Sequence, residues 1–527
     1  MQKLIAIHNG VARLPEWRLA SPVSFELLEG ENIAIVGPNG GGKTMFVDML
    51  TGSHPLLGDN PTYDFGPGSK PLVSDNIKYI QFTDSYGEND STYYLQQRWN
   101  QQEIDESTPT ARQILDSAMQ LAGGDAQRAR SWQAHLYAMF DIEHTLDKHI
   151  ILLSSGELRK IQIIKALLSM PRLLIIDNPF IGLDATARGQ LDGLLGELCH
   201  DGALQLILVL AKYNEIPPYI THVVNVAGMK VKAKVERSVF ASSCNPSVVS
   251  LPREVEQALL QHPYRASEHS ADEVVRMKNV SIRYGSRTIL DGLDWMVRNG
   301  EHWAVTGKNG SGKSTLLSLV CADNPQSYAC DISLFGNKRG SGESIWDIKR
   351  HIGYVSPEMH RAYKKNLPTI NIVASGMKES VGLYSNPTEA ELDNCRWWMW
   401  VFGLQGCEDR PFLKLSSGQQ RLALLARAFV KDPELLVLDE PLHGLDDGNR
   451  QRVKDIIETF CRRRNKTLIM VTHYMEELPP CIDHTLTLEK KYNIKTTFHE
   501  EADIINSCFA MHECWQQRSK RLQRNKR

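Results

Sequence analysis

Two short apolar runs, Ile33-Ala34-Ile35-Val36 and Trp303-Ala304-Val305-Thr306, lead directly into glycine clusters. Short apolar runs bounded by turn formers predict buried strands. Beyond each cluster, the segments Met45 to Leu50 and Leu316 to Val320 predict helices, and Ile77 to Gln81 and Ile352 to Ser356 predict later strands. Further on, Leu158, Ile161, Ile164 and Leu168 recur at helical spacing, as do Leu422, Leu425 and Phe429. Strands alternating with helices predict a largely parallel α/β sheet.

The pattern occurs twice. Gly37-Pro38-Asn39-Gly40-Gly41-Gly42-Lys43-Thr44 returns 270 positions later as Gly307-Lys308-Asn309-Gly310-Ser311-Gly312-Lys313-Ser314. Leu153-Ser154-Ser155-Gly156 and Leu173 to Asp177 return 262 positions later as Leu415-Ser416-Ser417-Gly418 and Leu435 to Asp439, and Pro217-Pro218 returns as Pro479-Pro480. Four blocks in one order describe a duplicated domain, with a period far too long for a solenoid. Residues 1–237 and 272–500 are the expected copies, 238–271 a linker with a short helix from Pro252, and 501–527 a basic tail.

Composition narrows the class. With 42% hydrophobic and 23% charged residues, the 527-residue chain has what globular cores need. Sixty basic and 62 acidic side chains leave a net charge of −2, which argues against a chain whose main task is to coat nucleic acid. No apolar run approaches the ~18 residues of a membrane span. The first ten residues lack a signal-peptide core, and the ten cysteines form no Cys-x-x-Cys pair. The expectation is a soluble, cytoplasmic, reduced protein.

The repeated blocks carry chemistry. Gly-x-x-x-x-Gly-Lys-Ser/Thr between a strand and a helix is a phosphate loop, whose backbone N–H groups converge on phosphate oxygens. Lys43 and Lys313 would reach the β- and γ-phosphates of a nucleotide, and Thr44 and Ser314 would ligate Mg²⁺. Asp177 and Asp439, each ending an apolar run, would hold Mg²⁺ through water. The copies then diverge, because Glu440 follows Asp439 whereas Asn178 follows Asp177. A glutamate there can orient attacking water, and an asparagine cannot accept its proton. His473, after Leu468-Ile469-Met470-Val471-Thr472, could contact the γ-phosphate and hold Glu440, and the first copy has Ala211 in that register. Tyr284 precedes Gly307 by 23 residues and could stack on adenine, whereas the first copy has Leu14 at that spacing with Trp17 nearby. Gln81 could bridge Mg²⁺ in the first copy, and the second has the shorter Ser356.

In this order the motifs resemble those of tandem ATP-binding cassette (ABC) proteins: Walker A, Q-loop, Leu-Ser-Ser-Gly signature, Walker B, D-loop (Gly182-Leu183-Asp184 and Gly444-Leu445-Asp446) and H-switch. The resemblance covers residues 1–230 and 272–495. It implies two P-loop NTPase nucleotide-binding domains, each with a helical subdomain, packed head to tail as a pseudo-dimer. It also implies ATP and Mg²⁺ as cofactors, with each nucleotide held between the Walker motifs of one copy and the signature of the other. One site then pairs Lys313, Ser314, Asp439, Glu440 and His473, with Thr315 beside them, against Ser154, Ser155 and Gly156. The other pairs Lys43, Thr44, Gln81 and Asp177 against Ser416, Ser417 and Gly418, and lacks the glutamate and the histidine. Among tandem cassettes the chain is similar to the ModF-type molybdate-transport ATP-binding proteins. That likeness implies a subunit at the inner face of a membrane that energises separate permease subunits, with a molybdate-like oxyanion as cargo. The alternative is a tandem cassette acting on ribosomes. The basic run Arg518, Lys520, Arg521, Arg524, Lys526 and Arg527 keeps it open, although such a run usually reads as a solvated tail, and the short linker and Asn178 oppose it. The polar segment 85–104 reads as a surface loop or a partner-facing one, and Trp397, Trp398, Trp400 and Phe402 as a docking face or a buried cluster.

Overall fold

The computed structural model describes residues 2–67, 69–81, 108–122, 126–153, 155–180, 183, 185–200, 204–243, 250–263, 271–285, 287–308, 310–363, 366–378, 386–463, 465–489 and 494–498. Ser154, Gly182, Asp184, Asn309, the segment 85–104 and the basic tail lie outside these residues. The chain forms two compact units. One comprises Met1–Gln261, Val355–Asp432 and Glu440–Ile456, and the other His262–Tyr354, Pro433–Asp439 and the chain from Ile457 onward. The first unit therefore holds the whole first copy together with the helical region and D-loop of the second.

In the first copy the buried strand Ile33–Val36 lies between Gln205–Leu210 and His222–Ala227, parallel to both. Leu173–Asp177 and Ile77–Ile80 continue the sheet in parallel, with Asp177 opposite Val209. In the second copy His302–Gly307 runs parallel to Thr467–Val471 and His484–Leu488, and Leu435–Asp439 pairs with Thr467–Val471. Ile33–Val36, Leu173–Asp177 and Leu435–Asp439 are almost wholly apolar because both sheet faces are covered. Each copy adds an antiparallel sheet that the apolar runs did not announce. Lys3–Ala12 pairs with Val23–Leu28, and Glu273–Tyr284 with Arg287–Arg298. Val23–Leu28 and Arg287–Arg298 alternate buried and exposed positions, the pattern of strands with one solvated face.

The helical regions have their own cores. Leu115, Leu136, Phe140, Ile161 and Ile164 are buried together in the first copy. In the second, Trp398 and Phe402 are fully buried, with ring centroids 5.4 and 5.3 Å from Phe429. Burial therefore accounts for two of the four aromatics on and after the helix Glu389–Val401, while Trp397 and Trp400 are half-buried. The expected linker helix is present as Arg253–Gln261, and just before it the Leu251 N–H donates to Asp455 at 2.8 Å. Among the described residues no helix is long and apolar enough to cross a membrane.

Candidate active sites

Both phosphate loops are built alike. Gly37 and Gly307 have φ of 154° and 142°. A Cβ on either would lie 1.9 Å from the Val226 carbonyl oxygen or 2.3 Å from that of Leu488, so only glycine fits. Helices Lys43–Thr51 and Lys313–Val320 start at the loop ends. The Lys43 ammonium donates to the carbonyls of Gly37 (2.6 Å) and Pro38 (2.9 Å). Lys313 donates to Gly307 (2.7 Å) and Lys308 (3.0 Å). Both lysines are thus aimed over their loops. Ser311 Oγ is buried in the second loop without a hydrogen-bond partner among the described residues. This donor set fits a polyphosphate.

In the first unit the first loop meets the second copy's signature. Ser416 caps the helix Ser417–Phe429 with a reciprocal pair of bonds. Its hydroxyl accepts from the Gln419 N–H, and the Gln419 side chain accepts from the Ser416 N–H. The cap fixes Ser417 and Gly418 in the first helical turn, where N–H groups suit an anion. Gly418 packs so closely that a Cβ there would lie 1.9 Å from Asn39 Nδ2. The D-loop of the second copy closes the same place. The Asn39 N–H donates to Asp446 Oδ2 (2.6 Å) and its side-chain amide to the Gly444 carbonyl (3.0 Å). The first Walker A loop and the second signature, expected to share a site, are brought together.

Behind that loop, burial pushes the Asp177 carboxyl up to about 6, opposed by the charges of Lys43 and Arg159. Burial also pulls the Lys43 ammonium down, opposed by Asp177 and Asp446. The Asn178 amide donates to Asp177 Oδ1 at 2.8 Å. Gln81 lies exposed just past its strand, and Thr44 is exposed at its helix start. Ser155 and Gly156 open the helix Ser155–Leu167.

Around the second Walker B strand, Asp439 ends Leu435–Asp439 in one unit and Glu440 begins the next segment of the other. His473 is half-buried just past Thr467–Val471, and Ala211 is buried at the matching place in the first copy. Ser314 is half-buried and Thr315 buried in the loop helix. Ser356 is committed to a helix cap, accepting from the Met359 N–H at 3.1 Å. Tyr284 ends its strand, and its hydroxyl accepts from Asn324 Nδ2 at 3.0 Å. In the first copy Leu14 is exposed, while Trp17 stacks on His54 at 4.4 Å.

Two site arginines escaped the motif reading. Arg421 donates to the carbonyls of Glu440 (2.6 Å), Ser356 (2.9 Å) and Pro441 (3.3 Å). Arg159 donates to Asp177 (2.7 Å) and Asn178 (3.1 Å). They stand 262 positions apart, each four residues after the second signature serine, so the repeat itself carried the signal.

Comparison with known proteins agrees with this geometry. The ABC transporter family matches residues 20–181 and 290–443. The ABC transporter ATP-binding protein ModF of Escherichia coli (strain K12) is 35% identical over 92% of this chain and 96% of its own length. An uncharacterised ABC transporter ATP-binding protein of Schizosaccharomyces pombe is 30% identical over 90% of this chain and 94% of its own. The solved structure titled RNase-L Inhibitor shares the fold at a TM-score of 0.51 and 18% identity, covering 93% of this chain and 90% of that one. With both cassettes matched and one relative aligned nearly end to end, the chain belongs to the ABC transporter family as a tandem ATP-binding cassette ATPase.

Proposed function

We propose that this protein is the ATP-hydrolysing subunit of an ABC-type transport system, energising separate membrane permease subunits. The likeness to ModF along nearly the whole chain supports transport, and the resemblance implies a molybdate-like oxyanion as cargo. Hydrolysis is assigned to the second Walker set. The observation that carries this is the divergence at one backbone position: Asn178 and Glu440 both have φ 47°, yet only Glu440 can act on water. Glu440 is the proposed base, with His473 and Lys313 at the γ-phosphate. Ser154, Ser155 and Gly156 are the signature that serves this set, by the repeat that pairs Ser416, Ser417 and Gly418 with the first loop. Ser314 and Asp439 would hold Mg²⁺ in the second set, and Thr44, Gln81 and Asp177 in the first. The ion supplies charge neutralisation at the β- and γ-phosphates when bound. The first site binds ATP and turns it over slowly or not at all.

The assignment is tested by comparing two lysines. Lys313→Ala should abolish most turnover, whereas Lys43→Ala should act more weakly, through binding and closure. Equal losses would mean that both sites hydrolyse. Tyr284→Ala should weaken ATP binding roughly tenfold, from about 1.4 kcal/mol of lost stacking, and Leu14→Ala should do less. Equal losses at the two positions would remove the stacking assignment.

A second reading, action on ribosomes, is kept open by the basic run Arg518, Lys520, Arg521, Arg524, Lys526 and Arg527. A tagged Glu440→Gln chain held in ATP should co-purify with membrane subunits. Salt-sensitive co-sedimentation with ribosomes instead would favour the second reading.

A further inference from the structure

His443 lies three residues beyond Glu440, in the turn that leads to the helix Asp447–Cys461. Its Nδ1 is 3.1 Å from Glu440 Oε2, and its backbone N–H donates to the Glu440 carbonyl at 3.1 Å. Its other ring nitrogen, Nε2, is buried and has no hydrogen-bond partner among the described residues. With Nε2 dry and unpartnered, Nδ1 is the ring nitrogen that has a polar neighbour. It faces the Glu440 carboxylate.

Glu440 is therefore contacted twice. Its left-handed backbone is held by Arg421, whose Nη2 donates to its carbonyl at 2.6 Å. Its carboxylate lies 3.1 Å from His443 Nδ1. The repeat supplies an independent observation. At 262 positions earlier stand Asn178 and Ile181, so the copy without the glutamate also has no side-chain donor three residues on. Ile181 lies outside the described residues, but an isoleucine side chain cannot donate a hydrogen bond anywhere. Base and donor occur together in one copy, and neither occurs in the other.

We propose that His443 is a positioning residue for Glu440, its Nδ1–H holding the carboxylate in the rotamer from which it orients the attacking water. The proposal rests on the reading of Glu440 as the hydrolytic base. A carboxylate free to leave that rotamer would spend most of its time misplaced, and a displacement of about 1 Å can cost on the order of 10²-fold in rate.

The test is steady-state ATP hydrolysis by the full chain. His443→Ala should lower kcat by roughly 10- to 30-fold while KM for ATP changes by less than about twofold, the signature of an interaction that matters only in the reacting complex. His443→Asn places an amide N–H near the Nδ1 position and should recover activity to within about threefold of the parent. In a Glu440→Gln background, His443→Ala should cause no further loss, because the two residues act as one unit. Equal losses for the Ala and Asn variants would reduce His443 to a packing role. A His443→Ala loss that multiplies the Glu440→Gln loss would mean that it acts on something else. A rise in turnover for His443→Ala would make the imidazole a restraint. Each of these overturns the proposal. The underlying reading fails separately: if Glu440→Gln alone keeps most activity, Glu440 is not the base. An inactive Glu440→Gln beside a fully active His443→Ala sinks only the positioning role.

Discussion

Glu440→Gln should lower steady-state ATP turnover by about 10²-fold or more while ATP binding is retained, since general-base steps are worth roughly 10²–10⁴-fold. The amide keeps the length and shape of the side chain but cannot take a proton from water. The backbone strengthens the argument. Glu440 has φ 47°, a left-handed conformation that asparagine adopts more readily than glutamate. Asn178 has the same φ in the first copy at little cost. A glutamate kept where an asparagine fits better points to a side chain needed for its chemistry. Glu440→Asn should accordingly be inactive yet at least as stable as the parent, and Asn178→Ala should change turnover by less than about threefold. Phosphate release and equilibrium nucleotide binding, measured on the same preparations, decide the matter. If Glu440→Gln kept about half the activity, hydrolysis would have to reside in the first site.

The fold was legible where chemistry leaves a dense trace. Both phosphate loops, both Walker B strands and both signatures could be placed from apolar runs and glycines, because buried parallel strands and phosphate loops tolerate few residue types. The antiparallel sheets were not legible, because strands such as Val23–Leu28 mix apolar and polar positions like much of the surface. Arg159, Arg421 and His443 were missed for another reason. Arg159 and Arg421 recur at the repeat offset but act through backbone carbonyls, and His443 lies beside one carboxylate, so the contacts themselves needed coordinates. Asp446 was visible as part of the D-loop, but its bond to the Asn39 N–H joins residues 407 positions apart and needed coordinates.

Arg421→Ala should be the other large effect, and it separates stability from turnover when set beside Arg159→Ala. Arg421 is 1% exposed, and its guanidinium joins the carbonyl after the strand Ile352–Val355 to the two that follow Asp439. Truncation strands three acceptors, two of them buried and one partly buried, each worth about 1–3 kcal/mol when left without a donor. Water entering the space would offset part of this, so a net loss of about 3–5 kcal/mol is expected, comparable to breaking a buried ion pair. Arg421→Lys should recover little, because one ammonium on a flexible stem cannot span three carbonyls in different directions. Arg159→Ala strands the Asp177 and Asn178 carbonyls and should lower the thermal midpoint by a similar amount. Turnover should distinguish the two. Loss of Arg421 frees the backbone that presents Glu440, so hydrolysis at matched folded concentration should fall more than about tenfold. Loss of Arg159 disturbs a position that holds asparagine and should leave hydrolysis within about threefold. Thermal unfolding and initial rates, taken well below both midpoints, provide the comparison. Equal catalytic losses at the two arginines would mean that both copies contribute to turnover, against the asymmetry that Asn178 and Glu440 imply.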